Sequence, residues 1–133
     1  MYSYKTDMLG TNDVKDLIFP DCPVRNVLSR VADKWSLLVM HTLEERGTAL
    51  RFSALQKALP DISKKMLAAT LRNLEEDGFV TRTVYAEVPP RVEYALTPRA
   101  SSFLSACRPM VVWAMDNLAQ IIADRERFLA RKN

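Results

Sequence analysis

The sequence predicts a mainly α-helical fold with one small β-hairpin and a long C-terminal helix. Three observations carry this. Apolar residues recur at three- and four-residue spacing along most of the chain from Pro23 onward. The spacing gives way once, between Phe79 and Leu96, to short runs rich in Val, Tyr and Thr with partial alternation. Thr97-Pro98 then opens a helical pattern that persists to about Leu129. The chain has 133 residues, which suits one core-forming domain with an appended arm or oligomerisation element.

The elements follow in order. Residues 1–20 lack clear periodicity and end at Pro20, so an N-terminal arm, loose or with a short helix, is expected there. Pro23 suits a first helical position and would place Cys22 near an N-cap. Val24, Val27, Leu28 and Val31 continue that helix. The next helix carries Trp35, Leu38, Val39, Thr42 and Leu43 on one stripe and stops at Gly47. Arg51-Phe52 reads as a brief strand. Ser53 with Gln56 matches a capping box for a short helix whose inner face is Phe52, Leu55 and Leu59.

Pro60-Asp61-Ile62 is a tight turn. Ser63 caps the following helix, with Ile62 and Leu67 spaced as a hydrophobic staple. Leu67, Leu71 and Leu74 form a narrow buried stripe, and Asp77-Gly78 closes the helix. Phe79–Tyr85 and Arg91–Leu96 are the two strands. Pro89 and Pro90 lack the N–H a central strand donates, so residues 86–90 form the hairpin tip.

In the last helix Phe103, Cys107, Met110, Ala114, Leu118 and Ile121 form an apolar row, and Pro109 is expected to kink or divide it. From Pro109 to Leu129 a helix would run about 32 Å, against a radius of gyration of roughly 14 Å for a compact chain of this size. Apolar residues carried past their own core are expected to be buried on a second chain. The organisation expected is an arm at 1–20, a core domain at 21–97 and a dimerisation helix at 98–133.

Composition excludes several classes. The single histidine is His41, and Cys22 and Cys107 are far apart in sequence, so no metal-ligand spacing exists. Gly10, Gly47 and Gly78 are isolated, which removes dinucleotide and phosphate-cradling loops. No cofactor, no metal and no enzymatic activity are expected. A Cys22–His41 nucleophile–base pair is formally available, while His41 otherwise reads as an ordinary residue of an amphipathic helix. The formal charge of +3 permits an anionic partner without demanding one. No apolar run approaches membrane-spanning length, and the polar N-terminus lacks a secretory core, so a cytoplasmic protein with reduced thiols is expected.

A short helix, a tight turn and a capped second helix make a helix-turn-helix, and the hairpin after it makes a winged one. In that arrangement the second helix, here Ser63 to Asp77, enters the major groove of double-stranded DNA. At 100° per residue the face opposite the apolar stripe carries Lys65, Ala69, Arg72 and Glu76, with Ala68 alongside. Ser63, Lys64 and Lys65 occupy the first turn, where base contacts concentrate. The lysines suit phosphates or guanine acceptors, and Ala68 and Ala69 suit thymine methyls. Arg82 and Arg91 bracket the hairpin and are placed for a minor groove or the backbone, and Arg51 is a further phosphate candidate or the partner of an acid. A winged-helix module that binds proteins rather than specific DNA is the alternative reading.

The stretch from Cys22 to Trp113 resembles the HxlR-type winged-helix transcriptional regulators, a branch near the MarR type. The resemblance rests on CPV at Cys22–Val24, DKWSLLVMHTL at Asp33–Leu43, and the run from Arg51 to Thr97 with its RFS, ISKKML, LRNLEEDG and PPRVEYALT segments. It implies an obligate homodimer, most often a repressor, that presents two recognition helices to one DNA face. It also implies a response to oxidants, electrophiles or small-molecule effectors, with the cysteine at position 22 as a sensor. The chain departs from the family where Ala68 and Ala69 replace commonly polar residues, and where Ala32-Asp33 replaces a common glycine pair. On physical grounds a thiol at a helix N-terminus tends towards thiolate, with Arg25 in favour and Asp21 against. Redox sensing and a structural role near the interface both stay open for Cys22, whereas Cys107 reads as a small buried hydrophobe.

Overall fold

The computed structural model describes residues 23–132. The expected arm at 1–20 and the thiol of Cys22 lie outside the described residues. The element order is α1 (Pro23–Val31), α2 (Lys34–Arg46), β1 (Leu50–Arg51), α3 (Phe52–Ala58), α4 (Lys64–Glu76), β2 (Val80–Tyr85), β3 (Arg91–Leu96) and α5 (Pro98–Lys132). The chain divides between Ala100 and Ser101 into two compact units.

In the first unit the core gathers Val31 from α1, Val39, Met40 and Leu43 from α2, Leu55 from α3, Leu67, Leu71 and Leu74 from α4, and Phe79 with Val80 at the start of the hairpin, all at most 6% exposed. Each leucine buried this fully contributes about 1.5–3 kcal/mol. The three strands form one antiparallel sheet in the order β1-β3-β2. Val80 pairs with Leu96 and Tyr85 with Arg91, which leaves residues 86–90, with both prolines, as the hairpin tip. A third strand comes from Leu50 and Arg51, which pair with Tyr94 and Glu93.

Three local expectations are revised. α2 buries Ser36, Val39, Met40 and Leu43, while Leu38 lies 38% exposed. The buried face is therefore rotated away from Leu38 and Thr42. Ser36 can turn inward because its hydroxyl donates to Asp33 Oδ2 at 2.8 Å and leaves no polar atom unpaired. α3 begins at Phe52, with Arg51 as an N-cap that makes no side-chain cap bond, so Ser53 lies inside the helix and the Ser53–Gln56 capping box does not form. Pairing of β1 with β3 holds the chain extended up to Arg51, and the helix starts at the next residue. α5 runs undivided through Pro109. Of the two outcomes expected at Pro109, a kink or a division, the division does not occur.

Other boundaries follow sequence chemistry directly. Gly47 and Gly78 adopt φ of 67° and 79°, the left-handed region that stops α2 and α4. The Ala32-Asp33 corner has its own logic: Asp33 caps α2 by accepting from the Ser36 N–H at 2.9 Å. Thr97 caps α5, its Oγ1 accepting from the Ala100 N–H at 3.3 Å while donating to the Gly78 carbonyl at 2.7 Å.

In the second unit α5 buries Leu104 and Cys107, leaves Phe103 and Ile121 half-buried, and exposes Ala114, Met110 and Leu118. Val111, Val112, Trp113, Met115, Phe128 and Leu129 are also more than half exposed. Among the described residues no helix is long and apolar enough to cross a membrane.

Candidate nucleic-acid interface

The site is built on α4, and its first residue sets the geometry. Ser63 is extended, with φ −73° and ψ 156°, and its Oγ accepts from the Met66 N–H. That bond satisfies one of the helix's orphan donors. Ile62 and Leu67 are both buried, at 4% and 0% exposure, as the staple spacing predicts. The helix is thereby fixed at its N-terminal end, where a partial positive charge favours an anion.

One face of α4 is committed to the core through Leu67, Thr70, Leu71 and Leu74. The opposite face presents Lys65, Ala69, Arg72 and Glu76, with Ala68 alongside and Lys64 in the first turn, all exposed. Two ammonium groups, two methyls and one guanidinium thus share a surface. Sequence reasoning missed two neighbours. Met66 is 46% exposed in the first turn, and Thr70 extends the buried stripe. Both lie at helical spacing from recognised residues, so the wheel alone could have placed them.

The C-terminal end of α4 is acidic and has no basic residue in its last turn. Its charge is answered from elsewhere. Arg30 of α1 contacts Asp77 Oδ2 through Nε at 2.6 Å and Glu76 Oε2 through Nη2 at 3.0 Å. Arg72 Nε donates to the other Glu76 oxygen at 3.1 Å. Arg99 donates to the Asp77 carbonyl at 2.8 Å. Hydrogen bonds from Arg30 and then Arg72 hold the Glu76 carboxyl below its ordinary range. The bond to Asp77 raises Arg30 above its ordinary value.

The wing separates its two arginines. Arg82, on β2 opposite Tyr94, is exposed. Arg91 is bound within the wing: its Nε lies 3.0 Å from Glu87 and 3.7 Å from Glu93, and its guanidinium stacks 4.1 Å from the Tyr85 ring centroid. The tip between the strands carries Glu87 beside Val88, which is fully exposed. Arg51 is exposed and sits opposite Glu93 in the ladder.

The remaining candidates are quickly placed. His41 is exposed, 3.4 Å from Glu45 one helical turn on. Cys107 is a buried free thiol, and burial pushes its pKa up. Among the described residues no group of His, Cys, Asp and Glu could hold a metal ion.

Comparison with known proteins matches this architecture. The HxlR-like helix-turn-helix family matches residues 30–122. The HTH-type transcriptional regulator YtfH of Escherichia coli is 40% identical over 111 residues, 84% of this chain and 86% of that protein. The solved structure of the transcriptional regulator ytfH from Salmonella typhimurium superposes with a TM-score of 0.69 at 39% identity, covering 85% of this chain and 99% of the other. The redox regulator HypR in its reduced form gives a TM-score of 0.67 at 32% identity over 76% of this chain and 98% of the other. With a family match over most of its length and relatives alike in both sequence and shape, the chain belongs to the HxlR-like helix-turn-helix family of transcriptional regulators.

Proposed function

We propose that the protein is a homodimeric, sequence-specific DNA-binding transcriptional regulator, acting in the cytoplasm, whose affinity for its operator responds to an oxidant, an electrophile or a small-molecule effector. The observation that carries the reading is the outward face of α4, where Lys64, Lys65, Ala68, Ala69 and Arg72 are all exposed beside a fully buried stripe. Lys64, Lys65 and Arg72 bind phosphates and guanine edges, Ala68 and Ala69 meet thymine methyls, and Ser63 sets the end of the helix nearest the base pairs. Arg82, exposed on the wing, reaches the backbone or the neighbouring minor groove, and Arg51 adds a phosphate contact. Arg91 serves the wing's own shape through Tyr85, Glu87 and Glu93.

Dimerisation falls to α5. Phe103, Cys107, Met110, Ala114, Leu118 and Ile121 run along it, and a row of large apolar residues from Met110 to Leu129 is open to a second copy. Two copies would set half-sites about one helical turn, roughly 34 Å, apart. Support for a redox input comes from HypR, which is a redox regulator. The chain has two cysteines, and burial makes Cys107 a poor nucleophile, so a thiol response falls on Cys22.

The test is fluorescence anisotropy of the reduced protein on DNA from immediately upstream of its own gene, against scrambled DNA, across a salt series. We expect sequence-dependent binding that weakens steeply with salt, and Lys65→Ala to lower the slope of log affinity against log salt by about 0.9 for one lost phosphate contact. Equal weak binding to both DNAs, unchanged by Lys65→Ala, would overturn the reading in favour of a protein-binding winged helix. Addition of diamide then tests Cys22: a shift in affinity present in the wild type and absent in Cys22→Ser assigns the sensor.

A further inference from the structure

The acidic end of α4 raises a difficulty for DNA binding. Glu75, Glu76 and Asp77 follow Arg72 within five residues, and Glu76 holds the Arg72 guanidinium at 3.1 Å. For its whole guanidinium, Nε included, to turn to a phosphate or a base edge, Arg72 must leave Glu76. Left alone, that carboxylate would then sit uncompensated at one end of a helix facing a polyanion. The helix dipole adds to the penalty, because its C-terminus is already negative.

The two arginines on Glu76 are not equivalent. Arg72 is 80% exposed and makes a single contact one turn away on the same helix, the kind of surface pair that exchanges readily with water. Arg30 is 20% exposed, comes from α1, and uses two nitrogens on two different carboxylates. A forked, partly buried contact of this sort holds its geometry better than a lone exposed one. The oxygens are also divided: Arg30 occupies Oε2 of Glu76 and Arg72 occupies Oε1. Departure of Arg72 therefore leaves the Arg30 bond in place.

Resting on the reading that α4 binds DNA through Arg72, we infer that Arg30 is a positioning residue for DNA binding: by holding Glu76 and Asp77 it releases Arg72 to exchange a carboxylate for the nucleic acid. Arg30 itself touches no DNA in this scheme. It acts through Glu76, and its effect is one of charge compensation rather than phosphate contact. Sequence gives no hint of it, since Arg30 and Glu76 are 46 residues apart.

The two roles are separable by salt. Arg30→Gln is expected to weaken specific binding about ten-fold while leaving the salt slope within half a unit of wild type, because no phosphate contact is lost. Arg72→Ala is expected to lose affinity and about 0.9 of slope together. The decisive measurement is the cycle with Glu76→Gln. That substitution alone should tighten binding by no more than about three-fold, and in the Arg30→Gln background it should recover at least half of the lost affinity on a logarithmic scale. Arg30→Lys, which keeps the charge but not the fork, should lose less than Arg30→Gln and covers the case in which the glutamine variant does not fold. A slope that falls with Arg30→Gln by a full contact would make Arg30 a direct DNA ligand and overturn the inference. So would a loss that persists undiminished when Glu76 is also changed. Failure of the wild type itself to bind DNA in a salt-dependent manner would instead remove the reading beneath it.

Discussion

α4 and α5 begin alike and end differently. Each starts at a hydroxyl cap, Ser63 or Thr97, and each carries apolar residues at helical spacing. In α4, 13 residues long, every residue of the apolar stripe is buried within its own unit. In α5, 35 residues long, Leu104 and Cys107 are buried, but the large apolar side chains from Met110 to Leu129 are mostly exposed. A helix whose stripe is already covered is free to offer its other face to a ligand. A helix whose stripe is not covered has apolar surface left for the self-association proposed above. Under the proposed function, the same amphipathic pattern would serve recognition in one place and assembly in the other.

The contrast can be broken at each end. Leu71→Ala removes a side chain 1% exposed from the α4 stripe, and we expect a loss of about 2–5 kcal/mol in urea unfolding. DNA binding should then fail only where the protein unfolds. Leu118→Asp acts on the other helix, at a side chain 51% exposed. It should leave the far-ultraviolet dichroism of the chain intact and weaken self-association by roughly 2 kcal/mol or more in sedimentation equilibrium, since a charge would be buried at an apolar contact. Unaltered association would show that α5 is not the assembly surface. The smallest effect sharpens the comparison at the caps. Ser63→Ala should cost about 1 kcal/mol in stability, read from the midpoint of unfolding. Because the same residue fixes the N-terminal end of α4, its loss in DNA affinity should exceed what that midpoint shift explains.

Local chemistry was the legible part of this molecule. Ser63, the Ile62–Leu67 staple, Gly47, Gly78 and Thr97-Pro98 each act within five residues of themselves, and each is found where its chemistry places it. The outward row of α4 followed from the same short-range periodicity. What sequence did not show depends on partners distant along the chain or on competing local bonds. Ser36 displaced Leu38 from the core because Asp33 satisfies its hydroxyl. The start of α3 moved because β1 pairs with a strand some forty residues later. Arg91 and Arg82 look equivalent as letters, and only the fold of the wing brings Tyr85, Glu87 and Glu93 around the first.

Ala68 and Ala69, the two methyls on the outward face of α4, carry an informational consequence. Alanine forms no side-chain hydrogen bonds, so it can distinguish a thymine methyl from its absence and little else. A single helix that reads partly through such residues writes a short address. If it fixes about four base pairs, its target recurs roughly every 256 base pairs of random sequence, and two such targets held in register recur roughly every 65,000. On the proposed reading, pairing two copies at a fixed spacing would turn a common word into a rare one.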